Sequence, residues 1–303
     1  MAYTRFAPDR GLTRRMVATM FLLGLLYVVF VGVLIALGVQ TVMVLLIAGG
    51  TLLVQYFMSD RIALFAMHGH EVTPEQAPEL HGMIDRLSAM ADMPKPRVAI
   101  ADSDVPNAFA TGRNQKNAVV CVTTGLLRRL ERAELEAVLA HEMSHVAHRD
   151  VAVMTIASFL GITAGLMTRF ALYAGLGGRG RDDRGGVPIG LIIMLVSVLV
   201  YAVSFLLTRA LSRYRELAAD RAGALLTQRP SALASALVKI SGEMARIPTR
   251  DLREAEPFNA FFFVPALSGG ASMATLFATH PPLNRRLEQL AKISAQLGQG
   301  GGR

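Results

Sequence analysis

The 303-residue chain has one cysteine, Cys121, so it cannot close a disulfide within itself. That scarcity agrees with a reducing compartment, and the thiol reads as a small buried strand residue. Charge is also sparse. Asp, Glu, Lys and Arg make up 18% of the chain against 52% hydrophobic residues, a balance short of charge for a soluble domain. There is no G-x-S-x-G elbow and no phosphate-binding P-loop, which excludes the hydrolases and nucleotidases built on them. There is no RNA- or DNA-binding motif, no basic patch interleaved with aromatics and no internal repeat, so nucleic acid is not an expected partner. Acidic residues are outnumbered, giving a net charge of +8. Nucleic acid, anionic lipid and acidic substrates could each match that sign. Arg14, Arg15, Arg61, Arg209, Arg213 and Arg215 flank apolar runs, which favours the lipid surface.

What the chain does have is long apolar runs. Residues 16–37 carry no charge and exceed the roughly 20 helical residues that cross a bilayer. Arg14 and Arg15 precede this run as they would a signal peptide, but it is too long for an h-region and lacks a clear cleavage site. A second run, 41–58, follows after three residues and predicts a helical hairpin. A third covers 151–168 and extends past Arg169 towards 176, and a fourth covers 187–207. Four such runs are too many for the interior of one small soluble domain, so they read as membrane helices.

The chain therefore divides into an N-terminal hairpin (1–58), a polar segment (59–150), a second hairpin (151–207), a second polar segment (208–297) and a tail (298–303) expected to be disordered. Residues 74–90 predict an amphipathic helix with Leu80, Ile84 and Leu87 on one face. Residues 97–101 and 118–122 predict strands, with a loop and short strand at 107–112 between them. Helices are expected at 124–127, 133–148, 213–226, 230–245 and 282–297. Arg5, Arg10, Arg14 and Arg15 against Asp9 put the N-terminus in the cytoplasm by the positive-inside rule, and both polar segments with it. The loop at 177–186, with three Arg against two Asp, carries a small excess on the opposite side.

The chemistry concentrates in His141-Glu-Met-Ser-His145. Residues i and i+4 share a helix face, so two imidazoles there can hold one zinc ion. Zinc acidifies a water molecule, and Glu142 is beside it to take the proton. Such a site needs a third protein ligand and an open fourth position. Glu216 in Arg213-Tyr-Arg-Glu-Leu-Ala-Ala-Asp220 is the best candidate, with Asp220 one turn on to accept a hydrogen bond from a ligand imidazole. By spacing alone, the same residues are equally an ordinary acidic surface helix.

These motifs together resemble the HtpX family of membrane zinc proteases, related to the zinc proteases that process prenylated CAAX proteins. The resemblance rests on H-E-x-x-H, Arg149-Asp150, an apolar pair of spans, Arg215-Glu-Leu-Ala-Ala-Asp220, Asn107-Ala-Phe-Ala-Thr-Gly112 and Thr279-His-Pro-Pro-Leu-Asn-Arg-Arg286, and covers nearly the whole chain. It implies a mainly α membrane protein with four transmembrane helices and a zincin-like (gluzincin) catalytic domain carrying a small β-sheet. It implies one zinc ion on His141, His145 and Glu216, with Glu142 catalytic and Asp220 behind a ligand. Asn107, Ala108, Phe109 and Ala110 would belong to an edge strand that holds an extended substrate. His280 and Arg286 would steady the oxyanion, although His280 also reads as the flank of a helix beginning at Pro281-Pro282.

The expected function is a zinc endopeptidase of the inner (plasma) membrane with its catalytic domain on the cytoplasmic side. It would hydrolyse misfolded or damaged membrane proteins under stress, alongside partner proteases of membrane quality control. A selective processing protease for a defined or lipid-modified peptide is one alternative. A non-catalytic scaffold with a zincin fold is another, against which Glu142 speaks. Other histidines read as bystanders. His148 as a fourth ligand would close the site to water, and His68 and His70 follow the second span at the interface. His148-Arg-Asp150 resembles a kinase triplet without the glycine-rich loop. The Phe261-Phe-Phe263 cluster reads as core or membrane contact.

Overall fold

The structure is a computed structural model and describes residues 10–38, 41–177, 189–244 and 280–300. Four long helices carry most of the apolar sequence: α1 (Arg10–Ala36), α2 (Thr41–Ala66), α6 (Asp150–Gly177) and α7 (Ile189–Thr227). Among the described residues, three stretches are long and apolar enough to cross a membrane: Thr13–Ala36, Ala152–Arg169 and Ile189–Thr227. The run at 41–58 is helical within α2. Large apolar side chains point outward from these helices, Phe21, Val28, Phe65 and Leu199 among them. Such continuous exposed apolar surface costs free energy in water and none in lipid. Where α1, α6 and α7 meet, Phe30, Leu34, Ala164, Met167 and Leu211 form a separate buried cluster.

The polar segments build one further body around β1 (Gly69–Glu71), α3 (Pro78–Ala91), β2 (Arg97–Ala101), β3 (Ala108–Thr111), β4 (Val119–Thr123), α4 (Thr124–Arg129), α5 (Arg132–Ala147), α8 (Pro230–Met244) and α9 (Leu283–Gly300). The sheet order is β1-β2-β4-β3, with β2 and β4 parallel and the other pairs antiparallel. β4 is buried along its whole length, as expected of a central strand covered on both faces. One face packs under α3 and α5, through Leu80, Ile84, Leu87, Val120, Val122, Val138 and Leu139. The other packs on the lower end of α2, where Ala63 meets Ala99, Phe109 and Cys121. Burial pushes the Cys121 thiol up to about 12, so it is inert packing.

Several contacts fasten this body to the apolar helices. Tyr56 Oη of α2 donates to the Arg113 carbonyl at 3.0 Å, just beyond β3. Arg97 of β2 bridges Asp60 of α2 and Glu71 of β1. Gly112 is needed there: its φ is +138°, and a Cβ would lie 2.4 Å from the Asn117 carbonyl oxygen.

Three expectations change. From Ile189 onward, the apolar run and the helix expected at 213–226 are one continuous helix, α7, of 39 residues. At 1.5 Å per residue it is about 58 Å long, against roughly 30 Å of bilayer hydrocarbon. Its polar C-terminal half therefore projects beyond the apolar half as a rigid extension. The tail is helical as far as Gly300, because α9 buries Leu290 and Ile293 in the core and carries the following turns with it. Strand β1 was not expected; it is three residues with His70 and Glu71 exposed and shows no apolar alternation. The apolar stretch at 258–266 with its Phe261–Phe263 cluster, and nearly all of the loop at 177–186, lie outside the described residues.

Candidate metal centre and active site

Helix α5 carries the His-Glu pair and is one of the most enclosed elements of the fold. Its first turn is closed by a capping box, with the Glu131 N–H donating to Glu134 at 2.9 Å. Nearly every residue from Glu134 to Val146 is buried, packed by β3, β4, α7 and α8. His141 and His145 stand one turn apart, with ring centroids 4.9 Å apart and Nε2 atoms 3.3 Å apart.

Helix α7 crosses α5 at very close range. A Cβ on Gly223 would lie 2.9 Å from the His141 backbone nitrogen, so only glycine allows this approach. The crossing delivers Glu216 to the two rings. Its carboxylate oxygens lie 3.6 Å from His141 Nε2 and 3.4 Å from His145 Nε2. One ligand atom from each of His141, His145 and Glu216 lies within 4.8 Å of the others.

Each ring is backed on its far nitrogen by a carboxylate, and each carboxylate by an arginine. Asp220 Oδ1 is 2.9 Å from His141 Nδ1, and Arg286 grips Asp220 with two hydrogen bonds of 2.8 and 2.7 Å. Asp150 Oδ2 is 2.5 Å from His145 Nδ1 and 2.9 Å from Arg215 Nη2. Each ring thus presents Nε2 to Glu216. Glu142 is buried between the rings and the sheet, where its Oε2 accepts the Ala110 N–H at 3.1 Å.

The charge balance is unusual. Burial pushes Glu142 above the ordinary carboxylate range, and the nearby imidazoles only partly pull it back. Burial works against a charged His145, yet hydrogen bonds to Asp150 and Glu216 raise it to about 10. His141 is raised for the same reason by Asp220 and Glu216. A cluster of carboxylates that calls for cations on both rings is also a site that a divalent cation can serve.

Zinc fits the residues present. Two imidazole nitrogens and one carboxylate oxygen converge, a donor set suited to zinc with a position left open. Glu216 Oε2 is buried with no hydrogen-bond partner among the described residues. His280 is buried beside it, with Nδ1 3.1 Å from that oxygen and neither ring nitrogen hydrogen-bonded among the described residues. These are polar atoms that a bound ion and its reactants would satisfy.

The structure brings His141, Glu142, His145, Glu216, Asp220, His280 and Arg286 into one cluster. Arg286 is 2% exposed and directs two of its nitrogens at Asp220, with Nη1 4.0 Å from Glu216. Of residues 107–110, the main chain is what reaches the site. β3 is an edge strand, and the Asn107 carbonyl accepts the Thr123 N–H of β4. Alternation then turns the main-chain groups of Ala108 and Ala110 outward, as the Ala110 bond to Glu142 shows. Phe109 packs its ring beneath the sheet against Cys121, not into the site. His148 is the exposed C-cap of α5, and His70 is exposed on β1.

Sequence reasoning overlooked three residues. Arg215 is not at the lipid surface; its side chain is 12% exposed and paired with Asp150. Asp150 was legible only as half of a motif dipeptide. Gly223 left a weak signal, a glycine inside a helical pattern, which usually has a packing reason.

The chain is 63% identical over 296 residues to protease HtpX homolog 1 of Streptomyces coelicolor, covering 98% of this chain and 97% of that one. It is 54% identical over 296 residues to a protease HtpX homolog of Moorella thermoacetica, covering 97% and 98%. Among solved structures, S. mikatae Ste24p superposes with a TM-score of 0.55 at 17% identity, covering 88% of this chain. The chain spans 62% of the length of Ste24p, and at that identity the likeness shows the fold alone. The family model of peptidase family M48 matches residues 74–294, a stretch that runs from α3 through both histidines and Glu216 to Arg286, and on that match the chain belongs to peptidase family M48.

Proposed function

We propose that this membrane metalloprotease is a zinc endopeptidase of the inner membrane that clears misfolded or damaged membrane proteins from the cytoplasmic side. His141, His145 and Glu216 hold the zinc ion, and Asp220 and Asp150 hold the rings. When bound, the ion supplies Lewis acidity, polarising the scissile carbonyl and acidifying the attacking water.

Glu142 takes the proton from that water and later gives it to the leaving amine. Burial raises its proton affinity above that of an ordinary carboxylate, the direction that favours taking up and passing on a proton. An extended peptide pairs with the outward main-chain groups of Ala108 and with the Ala110 carbonyl on the edge of β3, the Ala110 N–H being held by Glu142. His280 and the Nη1 end of Arg286 lie beside Glu216, where they can steady charge that develops on the carbonyl oxygen. The observation that carries this reading is the buried Glu142 carboxylate, tied to the substrate edge by the Ala110 N–H and flanked by the ligand trio.

The substrate assignment draws on the position of the site. Asp150 opens α6 directly before the apolar stretch from Ala152, and Glu216 lies beyond the apolar half of α7. The cleft therefore lies at the membrane surface, within reach of segments leaving the bilayer. We read α2 as a fourth span, which returns both polar segments to the face of the N-terminus.

The test is co-reconstitution in liposomes with a membrane protein in its folded form and as a destabilised variant. Preferred cleavage of the destabilised form, at varied sites, supports quality control. Equal cleavage of both at one fixed sequence would replace it with selective processing.

A further inference from the structure

Helices α6 and α7 lie antiparallel in a steady register. A Cβ on Gly161 would lie 3.4 Å from Ser204 Oγ, and Thr208 Oγ1 lies 3.4 Å from the Ala157 carbonyl oxygen. Continued towards the site, the same register sets Asp150 opposite Arg215, where the ion pair at 2.9 Å forms. Asp150 is the first residue of α6, and Arg215 immediately precedes Glu216 in α7. Between α5 and α6 the chain turns sharply through Arg149 at φ +57°.

One carboxylate oxygen therefore serves three elements. Asp150 Oδ2 meets His145 Nδ1 of α5 at 2.5 Å and Arg215 Nη2 of α7 at 2.9 Å, from its own place at the head of α6. With its Nδ1 so held, His145 turns Nε2 towards Glu216. A carboxylate as buried as Asp150 needs an opposing charge to stay ionised, and Arg215 supplies it. The arrangement repeats, between α6 and α7, what Asp220 of α7 and Arg286 of α9 do for His141.

We propose that Asp150 and Arg215 are positioning residues for the metal centre: Asp150 fixes the His145 ring, Arg215 holds Asp150, and the packing of α6 on α7 thereby sets the geometry of the ligands. This rests on the zinc reading above.

The test uses the full chain in detergent or lipid nanodiscs and reads zinc affinity by chelator competition. Visible absorption of the cobalt-loaded protein and near-ultraviolet circular dichroism of the metal-free protein are read alongside. Asp150→Asn is expected to weaken zinc binding about ten- to a hundredfold and to alter the cobalt spectrum, with the metal-free fold retained. Arg215→Gln is expected to weaken it less, and the double variant to match Asp150→Asn, since Arg215 acts through Asp150.

Wild-type affinity in Asp150→Asn, or a full additional loss from Arg215→Gln in the double variant, overturns the proposal. Should Asp150→Asn fail to fold, Asp150→Glu and Arg215→Gln decide it: weakened zinc binding in both supports it, and wild-type affinity in either overturns it. A wild type that takes up no zinc would sink the metal reading and this proposal together. That result is distinct from a wild type and an Asp150→Asn variant that bind equally well.

Discussion

The Glu142 carboxylate accepts the Ala110 N–H at 3.1 Å, so the proposed base and the edge strand are one hydrogen bond apart. That bond favours the ionised carboxylate. Ala110→Pro removes the donor at an outward-facing edge position, where proline is tolerated. Without that donor the ionised carboxylate is less favoured, so turnover at neutral pH should fall with zinc retained. Glu142, already raised by burial, rises further. A base must be ionised to act, so activity should be lost at a higher pH as the solution is acidified. An unchanged acid limb in the pH profile of kcat/KM would mean that this bond does not tune the base.

Zinc must compete with protons at the rings. In the metal-free protein hydrogen bonds to Asp150 and Glu216 raise His145 to about 10, so that ring carries a proton at neutral pH, and Asp220 and Glu216 raise His141 in the same direction. A ring must lose a proton to bind the ion, so zinc affinity falls as pH falls below the raised value. Each displaced proton should change apparent affinity by about tenfold per pH unit. Chelator competition between pH 6 and 8 measures the slope, and a flat profile would contradict this.

Gly223→Ala gains up to about 1 kcal/mol of helix propensity in the abstract. Here the added methyl would press on the His141 backbone at 2.9 Å, against helix α5 and not a flexible side chain. Overpacking of this kind costs about 1–3 kcal/mol. Thermal unfolding should shift down and zinc loading should fall with it. A stabilised variant would show that α5 and α7 can separate freely.

His280→Ala should leave zinc content intact and slow turnover, because the ring lies against Glu216 without completing the ligand trio. Loss of zinc would instead make His280 a ligand.

Gln40→Cys reports orientation. It lies between the first two apolar runs, and the native Cys121 is buried and unreactive. An impermeant thiol reagent should label it from outside intact cells. Labelling only after lysis would reverse the proposed topology.

Much of this site is legible in the sequence, for local reasons. His141, Glu142 and His145 share a helix by spacing alone, and β2, β4 and α3 follow from alternation and amphipathic period. Glu216 needed more, because its approach depends on a helix crossing that a single glycine, Gly223, permits. The Asp150–Arg215 pair was out of reach of pattern reading. The two residues lie 65 positions apart, and only the register of α6 on α7 joins them. Arg215 follows a run of apolar residues and so read as an interfacial cation. The continuity of α7 was hidden for a related reason: a helix that leaves the membrane and enters a polar core changes composition without changing structure.

The most direct test of the account compares proteolysis of an unfolded test protein by the purified, zinc-loaded chain and by Glu142→Gln. Both should bind one zinc ion, and only the wild type should cut, with zinc removal abolishing its activity. A Glu142→Gln variant that binds zinc and cuts as fast as the wild type would contradict the assignment of Glu142 as the base.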